Sequence, residues 1–374
     1  MSNNRAEQLQ FLRFVAFLLV CAHHLRPYDV AWFPGEPGAC TAVVFFFVLG
    51  GFASGFSSYD REIHFSLRSE KDYLMKKLRR FYPLYFVTIL FAVVYSEIPP
   101  AIVQHEFRQI VPQLKQLAKC LLLLQSWFPA DFFSFNAVGW FLSTIFFLYA
   151  VNLPLRSMFS KIKKLEHSML LFGITAAAAF AGTCLYCYAA RDTDILYTEY
   201  VLPISRLGEY AGGMALGYLV CPLTRRIQSE DRKMFWIFTA IEAATLFFWL
   251  YNMYTPFQRW EQKIVHWLLP NCMLIVTFAF GRGLLSKLFR NKWLVYLGDI
   301  CFECFMIHVV LIRMVIYTEV FTVGVDLNPV GKAFYISFIV VMSVLIAAVI
   351  SKTKAPAFKK LSILKEISTA RDFT

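Results

Sequence analysis

The chain has 374 residues, of which 58% are hydrophobic and 17% aromatic, and its formal net charge is +12. A soluble domain is typically about 45–50% apolar, whereas long apolar runs recur here from one end of the chain to the other. This composition excludes an ordinary soluble domain and is typical of a polytopic membrane protein. We therefore predict an all-α transmembrane domain over residues 1–351 and a basic cytoplasmic tail over residues 352–374.

Ten apolar runs approach or exceed the roughly 20 residues that a helix needs to cross a bilayer. Another run, Leu117–Phe128, is too short and is followed by Pro129, so we predict a re-entrant or interfacial segment there. In chain order, the predicted spans are residues 9–26, 40–57, 80–97, 137–155, 168–189, 204–221, 234–252, 264–281, 293–317 and 333–351.

The basic residues favour ten spans. With both termini in the cytoplasm, 26 of the 37 lysines and arginines fall in cytoplasmic segments, eight in outer segments and three (Arg13, Arg206 and Arg313) within spans. This bias follows the positive-inside rule, and a full crossing by residues 117–128 would invert every later loop. The net charge is then explained by attraction to an anionic cytoplasmic leaflet. We predict a multi-pass cell-membrane protein in contact with lipid, with no nucleic-acid partner and no metal.

The first predicted span carries two groups that hydrocarbon disfavours, Arg13 and His24. Eleven residues separate them, so they project from the same side of a helix and lie about 16 Å apart along its axis. Such groups usually face an interior cavity, because placing one in the membrane costs at least about 2.5–3.5 kcal/mol. Since an imidazole is largely neutral at pH 7, His24 is suited to general-base chemistry, and Arg13 is suited to act as a fixed cation. The alternatives are an interfacial histidine and an arginine that reaches the cytoplasmic headgroups.

Several stretches, in the same order along the chain, resemble the acyltransferase-3 family of integral membrane O-acyltransferases. Arg13 and His24 have the spacing of that family's first helix. Gly50 stands where the family has a serine, Ile145 where many members have a glutamate, and Cys301-Phe302 where Ser-Tyr is usual. The other similar stretches are Phe46–Phe52 (FFVLGGF), Arg79–Tyr85 (RRFYPLY), Trp140–Ser143 (WFLS), Arg206–Gly213 (RLGEYAGG) and Leu297–His308.

The resemblance implies an enzyme that moves an acyl group, most often acetyl, from acyl-CoA to a hydroxyl of a glycan or glycolipid. It implies that His24, with Arg13, is catalytic as a base or as an acyl carrier. Arg79, Arg80 and Tyr82 would then contact the acyl-CoA, whose phosphates suit the fork of a guanidinium. The remaining candidates, for the substrate path or cavity, are His23, Trp140, Ser143, Arg206, Glu209 and His308.

Most of these residues also have a structural interpretation. Arg79 and Arg80 could be ordinary cytoplasmic anchors. Arg206 and Glu209, three residues apart on a helix, could pair only to hold the bundle together. Glu242 has no predicted partner. A transporter is the alternative function, since intramembrane Arg, His and Glu also mark transport paths, although no repeated halves with broken helices are evident.

Overall fold

The computed structural model describes residues 6–25, 35–94, 96, 107–194, 196–227, 231–254, 260–317 and 329–371. Within these ranges the chain is helical and contains no β-strand, so the predicted all-α class is confirmed. The helices are α1 (Gln8–His24), α2 (Gly35–Ser58), α3 (Leu67–Val94), α4 (Phe107–Leu121), α5 (Gly139–Ile162), α6 (Ser168–Ala190), α7 (Leu207–Arg226), α8 (Arg232–Met253), α9 (Trp260–Phe280), α10 (Leu284–Phe289), α11 (Lys292–Asp299), α12 (Cys301–Tyr317) and α13 (Pro329–Arg371).

Five helices in the described ranges are long and apolar enough to cross a membrane, and a sixth span is possible if the bent pair α11–α12 counts as one. Other predicted spans coincide with helices outside this group; α1, for example, has 17 residues. The protein is therefore a helical membrane protein, and the count of ten spans stays a prediction. The five helices contain Pro37–Ser58, Gly139–Ile162, Ser168–Ala190, Arg232–Met253 and Val330–Thr353.

The predicted ninth span, residues 293–317, is wrong as a single helix. The chain breaks at Ile300 into α11 and α12, which meet at a bend of 59°. Gly298, just before the break, lies against α1 so closely that a β-carbon there would be 1.9 Å from the Gln10 carbonyl oxygen. Helix α11 is therefore packed against α1. The chain must turn at the end of α11 to bring α12 into the bundle.

Helix α3 begins at Leu67, well before the predicted start at residue 80. Ser66 explains the earlier start, because its hydroxyl accepts the Ser69 backbone N–H at 3.1 Å while the Ser69 hydroxyl accepts the Ser66 N–H at 3.1 Å. This reciprocal pair is a capping box. The capping box therefore lets α3 begin with a charged N-terminal part that precedes its apolar part.

The short run Leu117–Phe128 does not form one helix. Helix α4 ends at Leu121, the chain turns through Leu123 with φ +58°, and a 3₁₀ turn covers Gln125–Trp127. Two tyrosines of α3 hold the end of α4: the Tyr82 hydroxyl donates to the Leu121 carbonyl at 2.7 Å, and the Tyr85 hydroxyl donates to Cys120 at 2.8 Å. The segment is thus docked on α3, and α4 has only 15 residues.

Helices α2 and α7 cross so closely that their backbones leave no room for a β-carbon at the crossing. Gly51 and Gly55 of α2 face Gly213 and Gly217 of α7, so glycines four residues apart meet on both sides. A β-carbon at any of the four would lie 1.9–2.3 Å from a carbonyl oxygen of the opposite helix. Small residues with this spacing let membrane helices approach closely and gain van der Waals contact. We call this crossing the glycine seam.

Three segments predicted to be cytoplasmic meet at one end of the bundle. Arg225, at the end of α7, donates to both carboxylate oxygens of Asp60 at 2.8 and 2.6 Å. Lys164, after α5, pairs with Glu62 at 2.9 Å. The ends of α2, α5 and α7 therefore lie together, as the charge distribution predicts.

The glycine seam predicts a large effect of Gly213→Leu. The side chain would collide with the α2 backbone, which cannot rotate away, and overpacking of this kind costs about 1–3 kcal/mol or more. We expect a clear fall in the thermal unfolding temperature in detergent. Gly182→Leu is the control, since nothing lies within 4 Å of a β-carbon at Gly182 of α6. Equal unfolding temperatures for the two variants would contradict the tight crossing.

The ion pair Asp60–Arg225 predicts a small effect that depends on pH. The hydrogen bond from Arg225 lowers the pKa of Asp60 below its ordinary value of 3.8. A carboxylate with a depressed pKa contributes stability above its unfolded pKa, and this is lost as pH falls through the folded pKa. Because the pair is exposed, Asp60→Asn should cost at most about 1 kcal/mol at pH 7. In thermal unfolding, the difference from wild type should shrink below pH 3.8.

Candidate active site

The inner face of α1 carries both groups predicted to be catalytic. The rings of Phe17 and His24 both contact the His308 ring of α12, with centroids 5.6 and 5.3 Å apart. His308 is fully buried. Arg13 lies one turn before Phe17 and close enough to the Tyr149 hydroxyl for an electrostatic interaction. The side chains of Arg13 and His24 therefore face the bundle interior, as their spacing predicts.

The histidines form a small cluster at the end of α1. The His23 and His24 rings are 5.2 Å apart. His308 Nδ1 is 2.7 Å from the Phe305 carbonyl oxygen, so a proton on Nδ1 donates there. Nε2 of His308 has no hydrogen-bond partner among the residues that the structure describes. This leaves the Nε2 atom as an acceptor beside His24, and we call His24 and His308 the histidine pair.

From the sequence, Arg313 is recognisable only as a charge within a predicted span. In the structure its guanidinium is close enough to His24 for their charges to interact. The available signal was its position in the same apolar run as His308. That signal does not tell which way the side chain points, because helix periodicity alone places the two residues on different faces.

A second group of charges surrounds Tyr149 of α5. Lys77 Nζ lies 4.6 Å from the centre of the Tyr149 ring, and Arg13 and Arg80 both interact electrostatically with its hydroxyl. Arg156 lies close to Lys77. We call these four cations the basic cluster. Within the described ranges none of the four forms an ion pair with a carboxylate. Cations gathered without counter-charge attract an anion.

The predicted donor-binding residues separate in the structure. Arg80 belongs to the basic cluster through its interaction with Tyr149, and both Arg80 and its neighbour Arg79 are exposed. The Tyr82 hydroxyl already donates a hydrogen bond to the Leu121 carbonyl at the end of α4. Lys77 and Arg156, which sequence reasoning did not select, complete the cluster instead. The roles of Arg79, Arg80 and Tyr82 at a donor site stay predictions.

Arg206 and Glu209 pair as predicted. Arg206 Nη1 donates to Glu209 Oε1 at 2.6 Å, and both side chains are fully buried. Arg206 Nε and Nη2 donate to the Tyr200 carbonyl at 3.0 and 2.8 Å. The guanidinium also lies 5.4 Å from the centre of the Phe47 ring of α2. Because its contacts are with protein groups from several elements, the geometry favours a structural role for this pair.

Trp140 and Ser143 help to hold the segment after α4. The Ser143 hydroxyl donates to the Leu123 carbonyl at 2.7 Å, and the Ser126 hydroxyl donates to the Trp140 carbonyl at 2.8 Å. The buried Trp140 ring lies 5.0 Å from the Tyr200 ring. These contacts fix the start of α5, and a role in the substrate path stays a prediction for both residues.

Glu242 has clear partners, which sequence reasoning could not supply. Its buried carboxylate accepts the backbone N–H groups of Gly283 at 2.8 Å and Ser286 at 3.1 Å. A carboxylate at a helix N-terminus satisfies donors that have no partner within the helix. Glu242 of α8 therefore caps α10, a contact between residues about 40 positions apart that no local pattern shows.

This arrangement, a membrane helix bundle with ionisable groups on an interior face, defines an integral membrane protein with an internal polar site. The family of acyltransferase domains known as acyltransferase-3 matches residues 7–352, nearly the whole chain. The chain belongs to this family, which confirms the resemblance of its motifs, and the protein is a membrane acyltransferase. No curated protein and no solved structure gives a significant match.

The buried pair predicts a severe loss of stability in Glu209→Gln. The substitution leaves the Arg206 guanidinium buried without its counter-charge, which costs about 3–5 kcal/mol. The double variant Arg206→Met/Glu209→Leu should be more stable than the single variant, because no charge is then left buried. Thermal unfolding in detergent measures both. Arg225→Met, which breaks an exposed pair, is the control and should lose at most about 1 kcal/mol.

Proposed function

We propose that the protein transfers an acyl group, acetyl in the first instance, from cytoplasmic acyl-CoA to a hydroxyl of a cell-surface or lipid-linked glycan. The bundle would cross the membrane about ten times with both termini in the cytoplasm. The transferred group would pass from one side of the membrane to the other along the inner face of α1.

One observation carries this proposal: α1 joins two polar clusters of different chemistry. Arg13, toward its start, belongs to the basic cluster, which lacks ion-pair partners in the described ranges. His24, at its end, belongs to the histidine pair. The two α1 residues lie about 16 Å apart along the axis. Anion binding at one end and a base at the other are what a CoA thioester and an acceptor hydroxyl require.

Aromatic side chains lie beside the histidine pair. Phe141 of α5 contacts Phe46 of α2 at 6.0 Å and Phe305 of α12 at 5.4 Å between ring centroids, and Phe305 lies 5.9 Å from His308. Phe46 and Phe141 are only half-buried. They would provide an apolar wall for the acyl end of the donor, whose phosphates stay at the basic cluster.

Two routes are open to His24. In direct transfer, His24 removes the proton of the acceptor hydroxyl as its oxygen attacks the thioester carbon, and the proton then leaves with the CoA thiolate. In the other route, His24 first carries the acyl group itself. Either route releases one free thiol for each acyl group transferred.

Removal of the imidazole tests the proposal. In purified, reconstituted protein, acetyl-CoA with glycan acceptors should release free thiol, and His24→Ala should lose at least about 10²-fold of this rate. His64→Ala is the control, since the His64 side chain is 89% exposed and lies in the connection between α2 and α3. Equal rates for His24→Ala and wild type would remove His24 from the mechanism. Solute flux in vesicles without thiol release would favour the transporter.

The basic cluster makes a separate prediction about donor binding. Lys77→Ala should raise KM for acetyl-CoA about tenfold with a smaller change in kcat, because a charge-assisted contact contributes about 1.5–3 kcal/mol. Lys76→Ala is the matched control, since Lys76 is its exposed neighbour on α3. Similar KM values for the two variants would place the donor phosphates elsewhere.

A further inference from the structure

Arg313 is a cation held beside the histidine pair without a carboxylate partner. It is half-buried near the end of α12, and its charge acts on His24. In the described part of the chain its one hydrogen bond runs to the carbonyl oxygen of Phe135. Removing a guanidinium from water is costly unless it is paired. An arginine held in this way is therefore suited to meet a negative charge that appears only during a reaction.

The carbonyl that holds Arg313 is itself held in an unusual conformation. Phe135 has φ +58°, a left-handed conformation that costs a residue other than glycine about 1–2 kcal/mol. Such strain persists only where the surroundings impose it. The next residue, Asn136, is buried, and its side-chain amide donates to the Thr88 hydroxyl at 3.1 Å and the Met306 carbonyl at 3.4 Å.

These contacts fix one edge of the guanidinium. Asn136 locks the turn before α5 between α3 and α12, and the turn then presents the Phe135 carbonyl to Arg313. A guanidinium has five N–H donors, and the Phe135 carbonyl occupies only part of this set. The remaining donors are free of protein partners in the described ranges, and the charge of the guanidinium acts on His24. The basic cluster, at the other end of the inner face of α1, is available for the donor phosphates.

We propose that Arg313 binds the carbonyl oxygen of the acyl thioester and stabilises the oxyanion that forms there, an inference that rests on the proposed function. His24 takes the proton of the acceptor hydroxyl, and the hydroxyl oxygen bonds to the carbonyl carbon. The carbonyl oxygen then carries the negative charge, next to Arg313. When the C–S bond breaks, the CoA thiolate leaves with its electron pair and takes the proton from His24, and the ester is released.

Kinetics of Arg313→Met test this role. Loss of an oxyanion donor typically lowers kcat about 10²–10³-fold, and we expect that loss with little change in KM for acetyl-CoA. Arg313→Lys should recover part of kcat, because it keeps the charge. Arg290→Met is the matched control, since Arg290 also donates to a backbone carbonyl, that of Gly281 at 2.9 Å, but lies near the start of α1. It should keep kcat near wild type.

A binding measurement separates this role from a structural one. Trifluoroacetonyl-CoA carries an activated ketone that mimics the tetrahedral oxyanion, whereas S-propyl-CoA has no carbonyl. Because transition-state analogues report on groups that act in the transition state, Arg313→Met should lose about tenfold or more of the preference for the ketone. It should bind S-propyl-CoA as wild type does. If it does not, Arg313→Gln, which keeps a donor for the Phe135 carbonyl, decides in its place.

The outcomes are distinct. An active wild type, together with an Arg313 variant that keeps both kcat and the preference for the ketone, overturns the role of Arg313 and leaves the acyltransfer intact. A wild type that releases no thiol and binds neither analogue overturns the proposed function, and the role of Arg313 with it.

Discussion

The close crossing of α2 and α7 is the constraint on which the rest of the structure depends. At the glycine seam the two backbones touch. A β-carbon at Gly51 would lie 1.9 Å from the Tyr210 carbonyl oxygen, so no side chain could fit there. Lipid tails are as apolar as the side chains, so packing of this kind, rather than the hydrophobic effect, drives association between membrane helices. Helix α2 in turn contacts α1 and α9. The position of the inner face of α1 therefore depends on this crossing.

The seam also explains why two of the family motifs occur together. FFVLGGF lies on α2 and RLGEYAGG begins just before α7, and each supplies one glycine, Gly51 or Gly213, to the same contact. The second motif also supplies Arg206, whose guanidinium lies over Phe47 of the first. Close packing of glycines and the contact of the buried Arg206 guanidinium with Phe47 thus join the same two helices. The two motifs therefore belong to one junction between helices.

The interior polar groups fall into two kinds, distinguished by their partners. Arg206 with Glu209, and Glu242 with the backbone of α10, are satisfied by the protein itself. In the described ranges the basic cluster and Arg313 have no carboxylate partner. A charge that is partly withdrawn from water without a counter-charge costs stability, and Arg13, Lys77, Arg156 and Arg313 are half-buried. The second kind is therefore where a ligand or a reacting group is expected to supply the missing charge. This distinction separates the groups that build the bundle from those we propose to act on a substrate.

The sequence by itself determined the membrane class, the family and the inner face of α1, because composition and helix periodicity are local properties that a single helix expresses. Arg13 and His24 share a face for that reason, and Arg206 reaches Glu209 because three residues make nearly one turn. Only the tertiary structure decided the partners of Glu242, the break at Ile300 and the placement of Arg313 beside His24. Each of these depends on a contact between segments far apart in the chain, and no periodic pattern within one helix records which neighbour it will meet.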